Sequence, residues 1–131
     1  MIEPEVRRLV SLRTRERRGL RQGGVSAYRS MWLVVLFDLP VGSQAERRAA
    51  NRYRHLLQDE GFVMKQWSVY VRYFDSRAKA EAAADRLGAQ APPMGLVSML
   101  FLTDKQYGLT RNFEGAAPRP TEKKPEQLAL F

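Results

Sequence analysis

Three apolar stretches of the chain predict β-strands. Residues 31–38 read MWLVVLFD, which is apolar on both faces of a strand until the final aspartate, and residues 95–103 read GLVSMLFLT. Such runs are typical of strands that are buried on two sides. The segment 62–74, FVMKQWSVYVRYF, is rich in β-branched and aromatic residues but is interrupted by a lysine and a glutamine. It predicts two strands, or one strongly bent strand, with a tight connection near 65–67.

An amphipathic stretch after the first strand predicts an α-helix. Ser43 and Glu46 have the spacing of a capping box, in which each side chain binds a free backbone N–H of the first turn. Gly61 marks the end of the helix. The stripe expected to face the core consists of Ala45, Ala49, Tyr53, Leu56 and Leu57.

A second helix is predicted in the alanine-rich stretch that follows residue 74. It is expected to begin at Asp75 or Ser76 and to end at Gly88. Small residues on one side would let this helix lie close to a sheet. The thin apolar stripe consists of Ala80, Ala83, Ala84 and Leu87.

The element order β-α-β-β-α-β predicts an α+β, ferredoxin-like fold. Right-handed crossovers turn this order into a four-stranded antiparallel sheet with both helices on one face. The strands at 31–38 and 95–103 are apolar on both faces, so the face without helices would expose a large apolar patch, which monomers rarely do. We therefore predict a homodimer in which two sheets pack face to face about a twofold axis.

The domain organisation follows from where this pattern begins and ends. The chain has 131 residues, which suits one domain. Residues 28–110 are predicted to form the core domain, and residues 111–131 a flexible C-terminal tail. Residues 1–27 form a basic N-terminal extension, which is either a nucleic-acid-binding arm or a disordered segment.

The charge balance adds an expected partner. There are 22 Lys and Arg against 14 Asp and Glu, which gives a net charge of +8 and favours nucleic acid first and an anionic membrane second. The absence of cysteine excludes a disulfide framework and favours the cytoplasm. The longest apolar runs fall short of the roughly 18 residues that span a bilayer, and the N-terminus has no secretory h-region.

Asp38 is the candidate for chemistry, because it is a single carboxylate that closes an apolar strand. A carboxylate here can cap the next helix, bind turn N–H groups or pair with an arginine. In a twofold dimer it would also meet its own copy, and the repulsion could be relieved by protonation, by water or by a shared Mg²⁺. Such an ion could polarise a phosphodiester and activate a water. The sequence has no HxH, DxD or HExxH metal motif.

Four motifs together resemble the CRISPR-associated Cas-two (Cas2) family, in the subgroup found beside the Cas-nine effector. They are MWLVVLFDLP, the arginine-rich first helix, GFVMKQWSVYVRYF and LVSMLFLTDKQYG, and the resemblance covers residues 28–113. It implies a ferredoxin-like homodimer. It also implies that Asp38 is the family's proposed Mg²⁺ ligand and catalytic residue in a metal-dependent endonuclease acting on RNA or DNA.

The resemblance further implies a role in spacer acquisition. There the dimer bridges two dimers of the Cas-one integrase and lies along the prespacer duplex DNA. One alternative is a purely structural DNA-binding scaffold without nuclease activity. Another is an RRM-like RNA-binding module, which shares the strand order but would need an aromatic-rich strand motif that this sequence lacks.

The residues expected to contact phosphates are chosen by their chemistry and not by a motif. The candidates on the first helix are Arg47, Arg48 and Arg52, with Arg72, Arg77 and Lys79 behind them.

The last five residues, QLALF, resemble the pentapeptide by which bacterial replication and repair proteins dock on the DNA polymerase sliding clamp. Leu128, Leu130 and Phe131 would fill apolar pockets, and Gln127 would supply hydrogen bonds. The preceding APRPTEKKPE is a suitable flexible tether. The alternative is an added edge strand that pairs with the second subunit or with the integrase.

Overall fold

Four antiparallel strands make one sheet in the computed structural model, which describes residues 30–125. They are β1 Met31–Asp38, β2 Val63–Gln66, β3 Val69–Phe74 and β4 Leu96–Thr103, in the order β2-β3-β1-β4. The helices are α1 Gln44–Asp59 and α2 Arg77–Ala89. The predicted element order and antiparallel sheet are confirmed, and the segment 62–74 is two strands joined by a turn at 67–68.

One face of the sheet packs against both helices. The side chains of β1 on this face are buried together with residues of α1 and α2. The Ser43–Glu46 capping box of α1 is present. The buried positions of α1 are Ala50, Tyr53 and Leu57, which are spaced for one helical face. The predicted stripe is therefore wrong in part: Ala45 is exposed, while Ala49 and Leu56 are only half-buried.

The predicted stripe of α2 is confirmed, and its ends need one correction. Ser76 caps the helix by accepting a hydrogen bond from the N–H of Lys79. The helix continues through Gly88 to Ala89, so Gly88 does not end it. The buried residues of this helix are Ala80, Glu81, Ala83, Ala84 and Leu87.

The other face of the sheet is partly covered by the chain itself. A short helix, α3 Asp104–Gly108, follows β4 where the sequence suggested only a turn. Its Tyr107 stacks on Trp32 with ring centroids 4.3 Å apart, and the Trp32 Nε1–H donates to Asp104 Oδ1 over 2.9 Å. Trp32 is therefore only 4% exposed. The predicted open apolar face is corrected accordingly, and its exposed part lies along β4.

Residues 112–122 are folded, although the sequence predicted a flexible tail from residue 111 onward. Strands β5 Asn112–Glu114 and β6 Ala117–Arg119 form a hairpin. Glu122 then returns to the domain, where it accepts hydrogen bonds from Lys65 Nζ over 2.9 Å and from the Tyr107 hydroxyl. The largely buried side chains of Lys65 and Tyr107 gain an anionic acceptor, which explains why the segment folds back. Between residues 30 and 125, no helix is both long and apolar enough to cross a bilayer.

Candidate catalytic and nucleic-acid-binding site

Asp38 is the last residue of β1 and its side chain is exposed. It lies opposite Leu96 in the β1–β4 register. The alternation of side chains along β1 puts Asp38 on the same face as Trp32, away from α1 and α2. Among the described residues, the Asp38 carboxylate has no hydrogen bond or ion pair, and Ser43 rather than Asp38 caps α1.

The backbone of Asp38 is held by a close approach from the loop before β4. Gly95 has a φ of +98°, a conformation that L side chains rarely adopt. A Cβ atom at this position would lie 2.5 Å from the main-chain oxygen of Asp38 and 3.0 Å from Pro40 Cδ. Only a glycine fits between these atoms without movement, so the loop and the end of β1 are fixed to each other.

The β2–β3 turn lies on the other side of the same strand end. The Phe37 N–H donates to the Ser68 carbonyl oxygen over 3.0 Å. The exposed side chain of Trp67 precedes this link, and the Arg54 guanidinium carbon lies 4.2 Å from the centre of its ring. A shallow depression of about 280 Å³ lies between the end of β1, the β2–β3 turn and the start of β4. We call it the Asp38 depression; its lining is Leu36, Phe37, Asp38, Trp67, Ser68, Val69, Leu96 and Ser98.

The three candidate arginines of α1 lie on its exposed surface at this end of the domain. Arg47 Nη1 donates to the Val41 carbonyl oxygen over 3.0 Å. Arg48 and Arg52 are exposed, and neither has a hydrogen bond or an ion pair with another described residue. Arg52 borders a groove with Leu39 and Pro40, which directly follow Asp38. These arginines are therefore available to bind phosphate oxygens.

The other three candidate cations lie toward the opposite end of the sheet, where β1 begins and β3 ends. Each has a contact of its own. Arg72 Nη1 donates to the Glu60 carbonyl oxygen over 2.7 Å, and Arg77 lies 3.5 Å from Glu81. Lys79 pairs with Asp75 at 3.0 Å. The six predicted phosphate contacts thus form two groups, of which only the α1 group lies at the Asp38 end of the sheet.

The described residues of one subunit do not form a metal site with three or more protein ligands. No group of three or more His, Cys, Asp or Glu side chains converges anywhere in residues 30–125. Mg²⁺ commonly takes only one or two carboxylates and completes its shell with water and phosphate oxygens. The exposed carboxylate of Asp38 fits that use, provided that a second subunit or the nucleic acid supplies the remaining oxygens.

The pattern of the family described as CRISPR associated protein Cas2 matches residues 31–109. The chain belongs to the Cas2 family. The matched range includes β1 with Asp38, all of α1, the β2–β3 turn and α3, whereas the β5–β6 hairpin lies outside it.

Individual Cas2 relatives match over most of their length. The chain is 40% identical over 107 residues to the "CRISPR-associated endoribonuclease Cas2" of Flavobacterium psychrophilum, covering 82% of this chain and 93% of the relative. It is 42% identical over 107 residues to the protein of the same name from Paracidovorax avenae, covering 82% and 99%. A third such protein, from Parvibaculum lavamentivorans, is 41% identical over 101 residues, covering 77% and 100%.

The covered face of the sheet disfavours the RRM-like alternative. Membership of the Cas2 family points the same way. An RRM stacks RNA bases on aromatic side chains of its open sheet face. Here Trp32 occupies that face, but Tyr107 stacks on it and Asp104 accepts its only N–H. The ring has no exposed surface on which a base could stack.

Sequence reasoning missed three features of this region of the Cas2 fold. They are the cation of Arg54, the exposed ring of Trp67 and the close approach of Gly95 to Asp38. The tryptophan beside the Lys65–Gln66 interruption was the available signal, because an aromatic residue at a predicted turn is often exposed. The candidate tail residues Gln127, Leu128, Leu130 and Phe131, like the extension 1–27, lie outside the described residues.

Proposed function

We propose that this Cas2 protein acts in CRISPR spacer acquisition as a homodimer that binds duplex DNA and cleaves phosphodiester bonds through Asp38. The observation that carries the proposal is the exposed Asp38 carboxylate, which has no partner in the described chain and lies at the same end as the free arginines of α1. The names of the relatives support RNA as a cleavage substrate. We expect the protein to work in the bacterial cytoplasm, where these nucleic acids are found.

The homodimer is supported by the apolar surface that remains beside Asp38. Leu96 is 66% exposed and Leu100 is 48% exposed, and both lie on the Asp38 face of β4. A second copy packed on these residues about a twofold axis would remove them from water. It would also bring the two Asp38 side chains toward each other. A face-to-face dimer is therefore proposed for this end of the sheet rather than for the region covered by Tyr107.

Mg²⁺ held by Asp38 of both subunits would polarise a phosphodiester and activate a water molecule. The residues of the chain do the positioning. The Gly95 loop and the β2–β3 turn fix the end of β1, so that the carboxylate is presented at a defined point. The arginines of α1 neutralise the phosphates of the bound strand and orient it relative to that point.

Duplex DNA binding is attributed to Arg47, Arg48 and Arg52. Phosphate contacts carry no base information, so this binding should be independent of sequence and should weaken steeply with salt. In the complete complex the dimer would lie along the prespacer duplex and bridge the Cas-one integrase. We also propose the subgroup found beside the Cas-nine effector, since the FDLP and QWSVYVRYF motifs resemble it; the genes next to this one would test that assignment.

Spacer acquisition in cells tests the proposed role. A chain with Arg48→Glu and Arg52→Glu should lose acquisition, because the duplex is repelled. Lys79→Glu is the matched charge reversal at the far end of the domain and should retain it. Equal acquisition by the wild type, the Arg48→Glu and Arg52→Glu chain and Lys79→Glu would contradict the proposal.

A scaffold without nuclease activity is the second candidate. The observation that favours it is that residues 30–125 of one chain bring together no group of three or more His, Cys, Asp or Glu side chains that could hold a metal ion. In that case the integrase performs all the catalysis. Purified protein that binds duplex DNA but cleaves neither RNA nor DNA in Mg²⁺ would support the scaffold over the nuclease.

We further propose that the C-terminal QLALF docks on the DNA polymerase sliding clamp. Its pattern of apolar residues and glutamine, at the end of a polar tether, supports this. The wild-type chain should recover the clamp in a pull-down and Leu130→Ala should not. Equal recovery would exclude clamp docking and leave strand pairing with the second subunit or the integrase.

A further inference from the structure

The turn between β2 and β3 presents a tryptophan to solvent. Trp67 is 72% exposed, although Trp32, the other tryptophan, is buried. Single apolar side chains on a surface are ordinary. Trp67 differs because a neighbouring cation holds it in place: the Arg54 guanidinium carbon is 4.2 Å from the centre of its ring. The indole therefore has one supported side and a large accessible area.

Arg54 is itself positioned by the first helix. Its Nη1 donates to Asn51 Oδ1 over 3.0 Å, and its guanidinium carbon lies 5.5 Å from the centre of the Phe37 ring. Its Nε is buried without a hydrogen-bond partner among the described residues. The guanidinium is thus held between α1 and two aromatic rings, those of Phe37 and Trp67.

The turn is also strained and tied to the end of β1. Ser68 has a φ of +67°, which is uncommon for a residue other than glycine. Such outliers cost about 1–3 kcal/mol and are concentrated at functional sites. The carbonyl oxygen of Ser68 accepts the Phe37 N–H, one residue before Asp38. Trp67 and Asp38 therefore line the same depression and are held at a fixed relative position.

We propose that Trp67 is a stacking platform for an unpaired nucleobase of the strand whose phosphodiester lies at Asp38, with Arg54 as the positioning residue. This inference rests on the proposed function. Bases inside a duplex are already stacked, so the ligand is an unpaired nucleotide, either in single-stranded RNA or in an overhang beside a duplex. Stacking on an aromatic ring is indifferent to sequence, as are the phosphate contacts of α1.

Charge favours nucleic acid over a second copy of the chain as the occupant at Trp67, on the β3 side of β1, whereas the proposed dimer contact at Leu96 and Leu100 lies on β4. The chain carries a net charge of +8, and Arg54 lies directly against the ring. In a twofold contact centred on Trp67, a second copy would bring an identical cation to this ring, whereas a nucleotide brings a negative phosphate. A stacked base also benefits from the guanidinium below the ring.

Binding of two DNA probes tests the proposal. One is a blunt duplex and the other is the same duplex with a single-stranded overhang of thymidines. For the overhang probe, Trp67→Ala should weaken binding by roughly fivefold to 150-fold, as for the loss of one stacked base. Trp67→Phe should restore most of the affinity, and Arg54→Gln should weaken binding of the overhang probe less than Trp67→Ala. Affinity for the blunt duplex should be unchanged in all three variants.

Four results would overturn the inference. Unchanged affinity of Trp67→Ala for the overhang probe, or an equal loss for both probes, would exclude a base platform while leaving duplex binding intact. A change in sedimentation from dimer to monomer would assign Trp67 to the subunit interface. Wild-type protein that binds neither probe would instead contradict the proposed function as well. Because Trp32 is buried, fluorescence quenching of wild-type protein by the overhang gives an independent reading at Trp67.

Discussion

Gly95 lies so close to Asp38 that a Cβ atom added to it would be 2.5 Å from the Asp38 main-chain oxygen. The two residues lie at the same end of the antiparallel β1–β4 pair but are far apart in the sequence. Their approach fixes the strand end that presents the carboxylate. It also makes the position of Asp38 depend on a residue that has no side chain of its own.

Gly95→Ala is expected to destabilise the protein. The φ of +98° and the clash with a backbone atom together should cost about 1–3 kcal/mol of the free energy of unfolding. Gly88→Ala is the control, because a Cβ there meets nothing within 4 Å and alanine favours a helix by roughly 0.5–1 kcal/mol. Urea denaturation of both variants measures the difference. Equal stability of the two variants would contradict the close approach.

Removing one free arginine of α1 should reduce the salt dependence of duplex binding. For Arg48→Ala or Arg52→Ala, the slope of log affinity against log salt should become shallower by about 1 for each subunit of the dimer that contacts the duplex. Lys79→Ala removes a cation that pairs with Asp75 at 3.0 Å, far from Asp38, and should leave the slope unchanged. Fluorescence anisotropy at several salt concentrations provides the slopes. A change of the same size for Lys79→Ala would show that the duplex also covers the far end.

Leu100→Glu is expected to dissociate the proposed dimer. The substitution places a charge in the apolar surface beside Asp38, where a second copy would bury it without a partner. Met94→Glu is the control, since Met94 is also an exposed apolar residue but borders the groove beside α1. Sedimentation equilibrium distinguishes monomer from dimer. A dimer that persists in Leu100→Glu would place the interface elsewhere on the molecule.

The contact of Glu122 with the sheet should make stability depend on pH. Burial opposes ionisation of Glu122, but hydrogen bonds from Lys65 and Tyr107 outweigh burial and lower its pKa below the usual value. The stabilisation is thus fully present above the usual glutamate pKa and is lost as the pH falls through the lower pKa of the folded state. Thermal melting of wild type and Glu122→Gln should therefore differ most near neutral pH and converge in acid. A constant difference would rule out the carboxylate as its source.

Features encoded within one helical turn were predictable from the sequence. The Ser43–Glu46 capping box was predicted and is present. Thr103 and Gln106 form a capping box of the same kind, but the helix that they open, α3, is only five residues long and therefore too short to show an apolar periodicity. Local spacing identifies a helix start and does not give the length of the helix.

Contacts between distant segments were not predictable. Glu122 binds Lys65, 57 residues earlier, and nothing in either local sequence indicates the pair. The stacking of Arg54 on Trp67 depends on how α1 lies across the sheet, which periodicity alone does not give. Asp38 was predictable as the candidate residue because a lone charge at the end of an apolar strand stands out in one short stretch.

Cleavage of RNA and DNA by wild type and Asp38→Asn, each in Mg²⁺ and in EDTA, is the most direct test of the central claim that Asp38 carries the chemistry. Asp59→Asn is the matched control, since Asp59 is an exposed carboxylate at the far end of α1. The account predicts Mg²⁺-dependent cleavage by wild type and Asp59→Asn, and none by Asp38→Asn, with unchanged duplex affinity in all three. Cleavage by Asp38→Asn at the wild-type rate would contradict it.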